Sequence, residues 1–204
     1  MKAPLLTASL AALVMICGLP ATSTAKVKNA GGPAPEALAA AMSAYERASH
    51  SGVIVNSHLL TLIDYTKPSI VPRLWVIDVT TGDVLYHELV AHGRASGDNM
   101  ATSFSNDDDS HMSSLGLFIT GDAYVGRNGY SLRLQGLDPG VNDHAAARAI
   151  VIHGAPYVSE DVGQRLGRLG RSWGCPAVSL GVARPLIDAI KGGSVVFAYG
   201  PHTT

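Results

Sequence analysis

Apolar and polar residues alternate with a period of two over much of the chain from residue 52 to about residue 135, and β-branched residues are frequent there. Such alternation is typical of half-buried β-strands. It predicts strands at residues 58–64, 73–78, 84–92, 115–120 and 130–135. Thr80-Thr81-Gly82-Asp83 separates the second strand from the third and predicts a hairpin turn, because glycine and aspartate favour the backbone conformations of tight turns.

Two short apolar runs and three amphipathic segments complete the predicted elements. Residues 149–153 form an apolar strand that ends on a histidine, and residues 194–199 form a final strand that we expect to close the sheet. Leu38, Met42 and Tyr45 recur at helical spacing and predict a helix over residues 35–49. Short helices are also predicted at residues 158–166 and 182–190. The pattern as a whole predicts one mostly β domain, a β-rich α+β fold with a few short helices.

The first 25 residues have the layout of a secretory signal peptide. Lys2 precedes an apolar run over residues 5–19, Pro20 ends it, and small residues follow at positions 23–25. A run of this length is short for a membrane-spanning helix, which needs about 20 residues, so a cleaved leader is favoured over an uncleaved anchor. Ile16 before Cys17 disfavours a lipoprotein signal. We expect a signal peptide over residues 1–25, a linker and N-terminal helix over 26–51, and one domain over 52–204.

Composition excludes several classes of protein. The chain has 15 Lys and Arg against 16 Asp and Glu, a formal net charge of −1, which lacks the basic excess of a nucleic-acid-binding protein. Hydrophobic residues make up 47% and charged residues 15%, which is too apolar for a disordered chain. No pair of histidines or cysteines has the short spacing of a zinc site, so neither a metal nor another cofactor is expected.

Cys175 is the single cysteine left once Cys17 is removed with the leader. Such a cysteine is a small buried residue, an intermolecular bridge or a nucleophile. Gly174 and Pro176 flank it and predict a fixed turn rather than a regular element, which favours the nucleophile. The backbone N–H groups of Gly174 and Cys175 are candidate donors to a developing oxyanion, and Ser172 is a further candidate for orienting this turn.

His153 is the candidate partner of this cysteine, since it ends an apolar strand and Gly154 follows it. A nearby imidazolium stabilises a thiolate, so we expect the pKa of Cys175 to lie below about 8.5. The Gly154 carbonyl is expected to orient the imidazole.

Other polar residues are weaker candidates. Arg165, Arg168 and Arg171 precede the cysteine and would favour the thiolate or bind a substrate carboxylate, although a solvated loop accounts for them equally well. His92 ends a predicted strand and is a candidate cleft residue, whereas His111 and His144 lie in polar loops and are expected to be solvated.

The sequence from His153 to Ser172-Trp173-Gly174-Cys175 resembles the signature of the L,D-transpeptidase catalytic domain, also called YkuD-like, and most closely its murein L,D-transpeptidase branch. The similarity covers roughly residues 57–200. It extends through Arg73-Leu74-Trp75-Val76-Ile77-Asp78, Val90-Ala91-His92-Gly93, Ser113-Ser114-Leu115-Gly116, Tyr130-Ser131-Leu132-Arg133-Leu134 and Ile150-Val151-Ile152-His153-Gly154-Ala155-Pro156-Tyr157. Two positions depart from the family pattern: Trp173 stands where the family usually has His, and Ala177 where it usually has Arg or Asn.

The resemblance implies a β-sandwich or barrel catalytic domain with short flanking helices, working without a metal. Cys175 would attack a peptidoglycan stem peptide to give a thioester, and His153 would serve as base and then as acid. Trp173, Ser114, His92, Arg168 and Arg171 become possible substrate-binding residues. We expect an exported monomer in the periplasm, cell envelope or medium, with no membrane insertion after signal cleavage, and acylation of the nucleophile by carbapenems.

Three alternatives remain open: an L,D-carboxypeptidase, another cysteine peptidase or amidase, and a catalytically dead wall-binding module. The presence of both Cys175 and His153 disfavours the last of these.

Overall fold

The computed structural model describes residues 31–56 and 58–201, so the predicted signal peptide lies outside the described residues. Eight strands and three helices form within this part of the chain. In chain order they are α1 (Pro35–Ser51), β1 (Leu59–Asp64), β2 (Leu74–Asp78), β3 (Val84–Glu88), β4 (Gly116–Gly126), β5 (Gly129–Gly136), β6 (Val151–Gly154), α2 (Glu160–Leu166), β7 (Ala177–Val178), α3 (Leu180–Ile190) and β8 (Val195–Tyr199).

The strands form one sheet in the order β3-β2-β1-β8-β4-β5-β6-β7. The β1–β8 and β6–β7 pairs are parallel and the others antiparallel. The chain continues beyond β3, and Ala91 there pairs with Ala177 of the opposite edge strand, β7. This bridge nearly closes the sheet, which leaves little unpaired edge. The prediction of a mostly β domain with a few short helices is confirmed.

Three details of the sheet differ from the sequence-based expectation. The last strand, β8, does not close the sheet but lies in its middle, between β1 and β4. Its residues 195–198 are all buried, as a strand covered on both faces requires. The predicted third strand ends at Glu88 instead of reaching residue 92, and the two-residue β7 was not predicted. No local pattern indicates β7, because it exists only through pairing with β6.

Helices cover both faces of the sheet. α1 lies against β1 and β8 through an alanine face, formed by Ala37, Ala41, Ala44 and Ala48, while the larger side chains at the predicted helical spacing are only partly buried. α3 lies against β4, β5 and β6 and buries Leu186, Ile187 and Ile190. No helix in the described part of the chain is long and apolar enough to cross a membrane.

Candidate active site

The pairing of β6 with β7 brings the histidine and the cysteine together. His153 is in register with Ala177, and the His153 N–H donates to the carbonyl of Pro176 (N···O 3.4 Å). Because Cys175 lies two residues before Ala177, its side chain and that of His153 open onto the same cleft, which has a volume of about 280 Å³. The other residues that line this cleft are Arg127, Asn128, Tyr157, Arg171, Ser172 and Trp173.

The cysteine turn, residues 172–176, is held from within by the Ser172 hydroxyl. This hydroxyl donates to the Cys175 carbonyl (2.6 Å) and accepts from the Gly174 N–H (3.2 Å). Gly174 has a φ of 115°, and a Cβ there would lie 2.7 Å from the Met112 carbonyl oxygen, so only glycine fits. One of the two predicted oxyanion donors, the Gly174 N–H, is therefore taken up by the turn itself.

The imidazole of His153 is oriented by its own strand. Its Nδ1 lies 3.0 Å from the Gly154 carbonyl oxygen. A carbonyl only accepts, so Nδ1 carries the proton in this contact and Nε2 is left as the basic nitrogen. Gly154 also has a packing role, since a Cβ there would lie 2.8 Å from the Ala183 Cβ of α3.

The expected low thiol pKa is not found. Burial raises the pKa of Cys175, and this effect exceeds the opposing influence of the Val151 and Cys175 N–H groups and of the Arg148 charge. Burial also lowers the pKa of His153, which favours the neutral imidazole. The free site therefore holds a thiol beside a neutral base rather than a thiolate–imidazolium pair. The Cys175 thiol donates to the Ala149 carbonyl, with an S···O distance of 3.7 Å.

The three arginines before the cysteine do not form one cationic rim. Arg165 pairs with Asp161 on the exposed surface of α2 (2.9 Å). Arg168 and Arg171 both pair with Asp98, at 2.7 and 3.2 Å, and of the three arginines only Arg171 lines the cleft. Gly167 ends α2 in the left-handed conformation, so the three residues do not continue along one helix face.

His92 and Ser114 do not line the cleft. His92 is fully buried, and its Nδ1 accepts from the Arg73 guanidinium (2.8 Å). Burial and the Arg73 charge lower the pKa of His92 to about 4. Ser114 donates to the Ser105 carbonyl (2.8 Å) and accepts from Arg148 (2.6 Å), so its hydroxyl is used within the protein.

Trp173 forms an aromatic wall of the cleft. Its side chain is 62% exposed, and its ring packs against His111 with 4.8 Å between ring centroids. The Arg94 guanidinium lies 5.9 Å from the Trp173 ring centroid. His111 is therefore packed against the wall and not simply solvated.

Several residues at the site were missed by the sequence reasoning. Arg127 and Asn128 lie between β4 and β5, and Tyr157 lies four residues after His153, just beyond the end of β6. Arg127 and Asn128 sit at a hairpin tip between two glycines, a position where binding residues often occur. Burial raises the pKa of Tyr157 to about 12, so its phenol is protonated at neutral pH. In the described residues, no three His, Cys, Asp or Glu side chains are placed to hold a metal ion together.

The sequence profile of the L,D-transpeptidase catalytic domain matches residues 30–199, and the chain belongs to this family. Its fold resembles three solved structures at low sequence identity. An L,D-transpeptidase from Mycobacterium smegmatis is 14% identical, with a TM-score of 0.43 over 70% of this chain and 59% of that one. L,D-transpeptidase 3 from Mycobacterium tuberculosis is 14% identical, with a TM-score of 0.44 over 70% and 61%. An L,D-transpeptidase from Xylanimonas cellulosilytica is 15% identical, with a TM-score of 0.41 over 69% and 60%. This chain thus spans about 60% of the length of these structures. No curated protein sequence matches it.

Proposed function

We propose that this protein is an exported, cysteine-dependent L,D-transpeptidase that acts on peptidoglycan stem peptides through a thioester at Cys175. The observation that carries the proposal is the shared cleft of Cys175 and His153, with Nδ1 of the histidine held by the Gly154 carbonyl. A nucleophile, a base and a group that orients the base are the parts that acyl transfer by cysteine needs.

The first half of the reaction forms the thioester. Nε2 of His153 removes the thiol proton as the sulfur attacks the carbonyl of the third stem residue, and the Cys175 N–H is available to the developing oxyanion. When the tetrahedral adduct collapses, the bond to the terminal D-alanine breaks. His153 then gives the proton to the departing amine.

The second half transfers the acyl group. The amine of a second stem attacks the thioester, His153 takes up the amine proton, and the sulfur leaves and is reprotonated. The product is a 3→3 cross-link and a free enzyme thiol. If water attacks the thioester in place of the amine, the enzyme is an L,D-carboxypeptidase. If the acyl group bound to Cys175 comes from a substrate other than a stem peptide, the protein is another cysteine peptidase or amidase.

The cleft walls suit a substrate that carries a carboxylate and some apolar surface. Arg171 lies at the cleft and retains donors beyond its contacts with Asp98 and the Gly97 carbonyl. The exposed Trp173 offers apolar area beside the nucleophile. We assign these two residues to substrate binding, and we assign Arg168, which bonds Asp98 and the Leu169 carbonyl, to support of the loop.

The deciding experiment treats purified disaccharide tetrapeptides with the protein and analyses the products by mass spectrometry. New 3→3 dimers support the transpeptidase, whereas tripeptides with free D-alanine identify a carboxypeptidase. The Cys175→Ala variant is the matched control and should give neither product. Unchanged muropeptides with a folded parent protein would refute a role on these substrates.

Carbapenem acylation is a separate expectation of the same proposal. The strained ring presents an activated carbonyl to the Cys175 sulfur, so excess meropenem should add covalently to the parent and not to Cys175→Ala. Intact-protein mass spectrometry measures the adduct, and peptide mapping should place it on residues 173–176. A parent protein that stays unmodified would mean that the cleft does not admit the ring, with Trp173 the first obstacle to examine.

A further inference from the structure

Arg148 lies behind the cysteine turn, at the chain reversal that leads into β6. Its half-buried guanidinium makes four hydrogen bonds, all to the 105–114 loop, which is the segment of residues 105–114. Two go to the carbonyls of Ser105 and Met112, both at 2.7 Å, and two to the hydroxyls of Ser114 and Ser110, at 2.6 and 3.1 Å. One side chain thus fixes four separate points of a loop that has no regular structure.

The 105–114 loop in turn holds the cysteine turn. The Ser113 hydroxyl donates to the Gly174 carbonyl (3.0 Å) and accepts from the Gly93 N–H (3.0 Å). The Met112 carbonyl, which Arg148 binds, is the atom that a Cβ at Gly174 would strike. Arg148, the loop and the turn are therefore in continuous contact, and Arg148 Nη2 lies 3.4 Å from the Cβ position of Gly174.

The charge of Arg148 is also distinctive. Arg165, Arg168 and Arg171 all form ion pairs with aspartates, whereas the hydrogen-bond partners of Arg148 are neutral carbonyls and hydroxyls. An arginine without a direct carboxylate partner keeps more of its field for its surroundings. Its positive charge acts on Cys175, although Arg148 is not among the residues that line the cleft.

We propose that Arg148 is a positioning residue for acyl transfer, because its guanidinium fork holds the 105–114 loop behind the cysteine turn and its fixed charge stabilises the Cys175 sulfur as it becomes anionic. The inference rests on the proposed function, to which it adds a residue outside the cleft. Hydrogen bonds from a planar fork to several acceptors need arginine, whereas the electrostatic part needs only a positive charge. The two parts can therefore be separated by substitution.

The groups that surround the thiol define what a titration of Cys175 reports. They are His153, Tyr157, Arg127 and Arg171 in the cleft, the buried Tyr65, Arg148 beside the turn, and Asp107 and Asp108, whose charges act on Arg148. Burial raises the pKa of Tyr157 to about 12 and raises that of Tyr65, so His153 is the group expected to titrate near the thiol. A substitution of Arg148 changes one fixed charge in this set.

The test measures the rate of iodoacetamide alkylation of Cys175 across pH, together with turnover of muropeptides. The variants are Arg148→Gln, which loses both the positive charge and the guanidinium hydrogen bonds, and Arg148→Lys, which keeps only the positive charge. The matched control is Arg184→Gln, an exposed arginine of α3 that lies over the Tyr130 ring and does not line the cleft. Unfolding by urea checks that each variant is folded.

Arg148→Gln should alkylate roughly tenfold more slowly at neutral pH, the effect of about one unit in the thiol pKa. Arg148→Lys should alkylate within about twofold of the parent while its kcat falls at least about tenfold, since the charge remains and the loop is released. A glutamine variant that alkylates like the parent at every pH overturns the electrostatic part. A lysine variant with parental kcat overturns the positioning part.

Alkylation does not depend on the substrate, so it separates this inference from the proposed function. Suppose that neither the parent nor any variant acts on muropeptides, but that Arg148→Gln alkylates more slowly than the parent and Arg148→Lys does not. The proposed function then fails, and the electrostatic role of Arg148 stands. If Arg148→Gln does not fold, Arg148→Met replaces it as the variant without charge, and a methionine variant that alkylates like the parent overturns the electrostatic part. The kcat of Arg148→Lys still decides the positioning part.

Discussion

Protonation of the buried His92 should make the protein sensitive to mild acid. The Arg73 guanidinium donates to Nδ1 of His92, so the neutral ring carries its proton on Nε2, which has no hydrogen-bond partner among the described residues. A charged ring would present a second donor to Arg73 in a site without solvent. Burial and the Arg73 charge therefore lower the pKa of His92 to about 4.

The magnitude follows from the difference between folded and unfolded states. An unfolded chain binds the His92 proton with an ordinary pKa of about 6.5, so each unit of pKa difference is worth about 1.4 kcal/mol. A group whose pKa is lowered by folding contributes stability above its unfolded pKa and loses it as the pH falls toward the folded value. Protonation of His92 alone should therefore lower the free energy of unfolding by about 3 kcal/mol between neutral pH and about pH 4. His153, whose pKa is also lowered, adds in the same direction.

Urea unfolding at pH 7 and about pH 4.5 measures this loss in the parent and in His92→Asn. The asparagine side chain offers Oδ1 to Arg73 and does not titrate. The variant should be less stable at pH 7 because the ring is lost from a packed site, but its stability should fall less on acidification, by about 2–3 kcal/mol. Equal losses in parent and variant would show that His92 is not the titrating group, and the burial argument for it would be wrong.

Three further outcomes are expected. Cys175→Ala and Cys175→Ser should both fold and both lack turnover, because a hydroxyl is far less ionised than a thiol; turnover in either would remove the nucleophile assignment. Ser172→Ala leaves the Gly174 N–H and the Cys175 carbonyl without their partner, so it should lower the free energy of unfolding by about 2–4 kcal/mol and also lower kcat. The control variant Ser159→Ala loses the N-cap of α2, which should cost only about 1 kcal/mol and leave kcat unchanged. If Arg171 binds a substrate carboxylate, Arg171→Ala should raise KM about tenfold in steady-state assays, whereas Arg165→Ala should not change it. An Arg171→Ala variant with the KM of the parent would show that Arg171 only supports its loop.

The local sequence determined most of the strands and indicated the candidate nucleophile and base. Alternation with a period of two predicted five of the eight strands and short apolar runs predicted two more, although β4 continues six residues beyond its predicted end. The local pattern shows these strands because it depends on which faces of a strand are buried and not on which strands lie beside it. Glycine and proline around Cys175 indicated a fixed turn, and the end of an apolar run indicated where His153 lies. These are short-range properties, and a sequence shows them directly.

The tertiary structure alone decided the order of the strands, the role of each polar side chain and the protonation of the site. The central place of β8, the existence of β7, and the contacts of Ser172 and Arg148 all depend on segments distant in sequence. The predicted low pKa of Cys175 was wrong because burial, a property of the packed protein, outweighs the nearby charges. His92 had the same local setting as a cleft residue, yet the chain turns inward after β3 and pairs it with Arg73. Desolvation and long-range pairing arise only when the chain is folded, so no local pattern can report them.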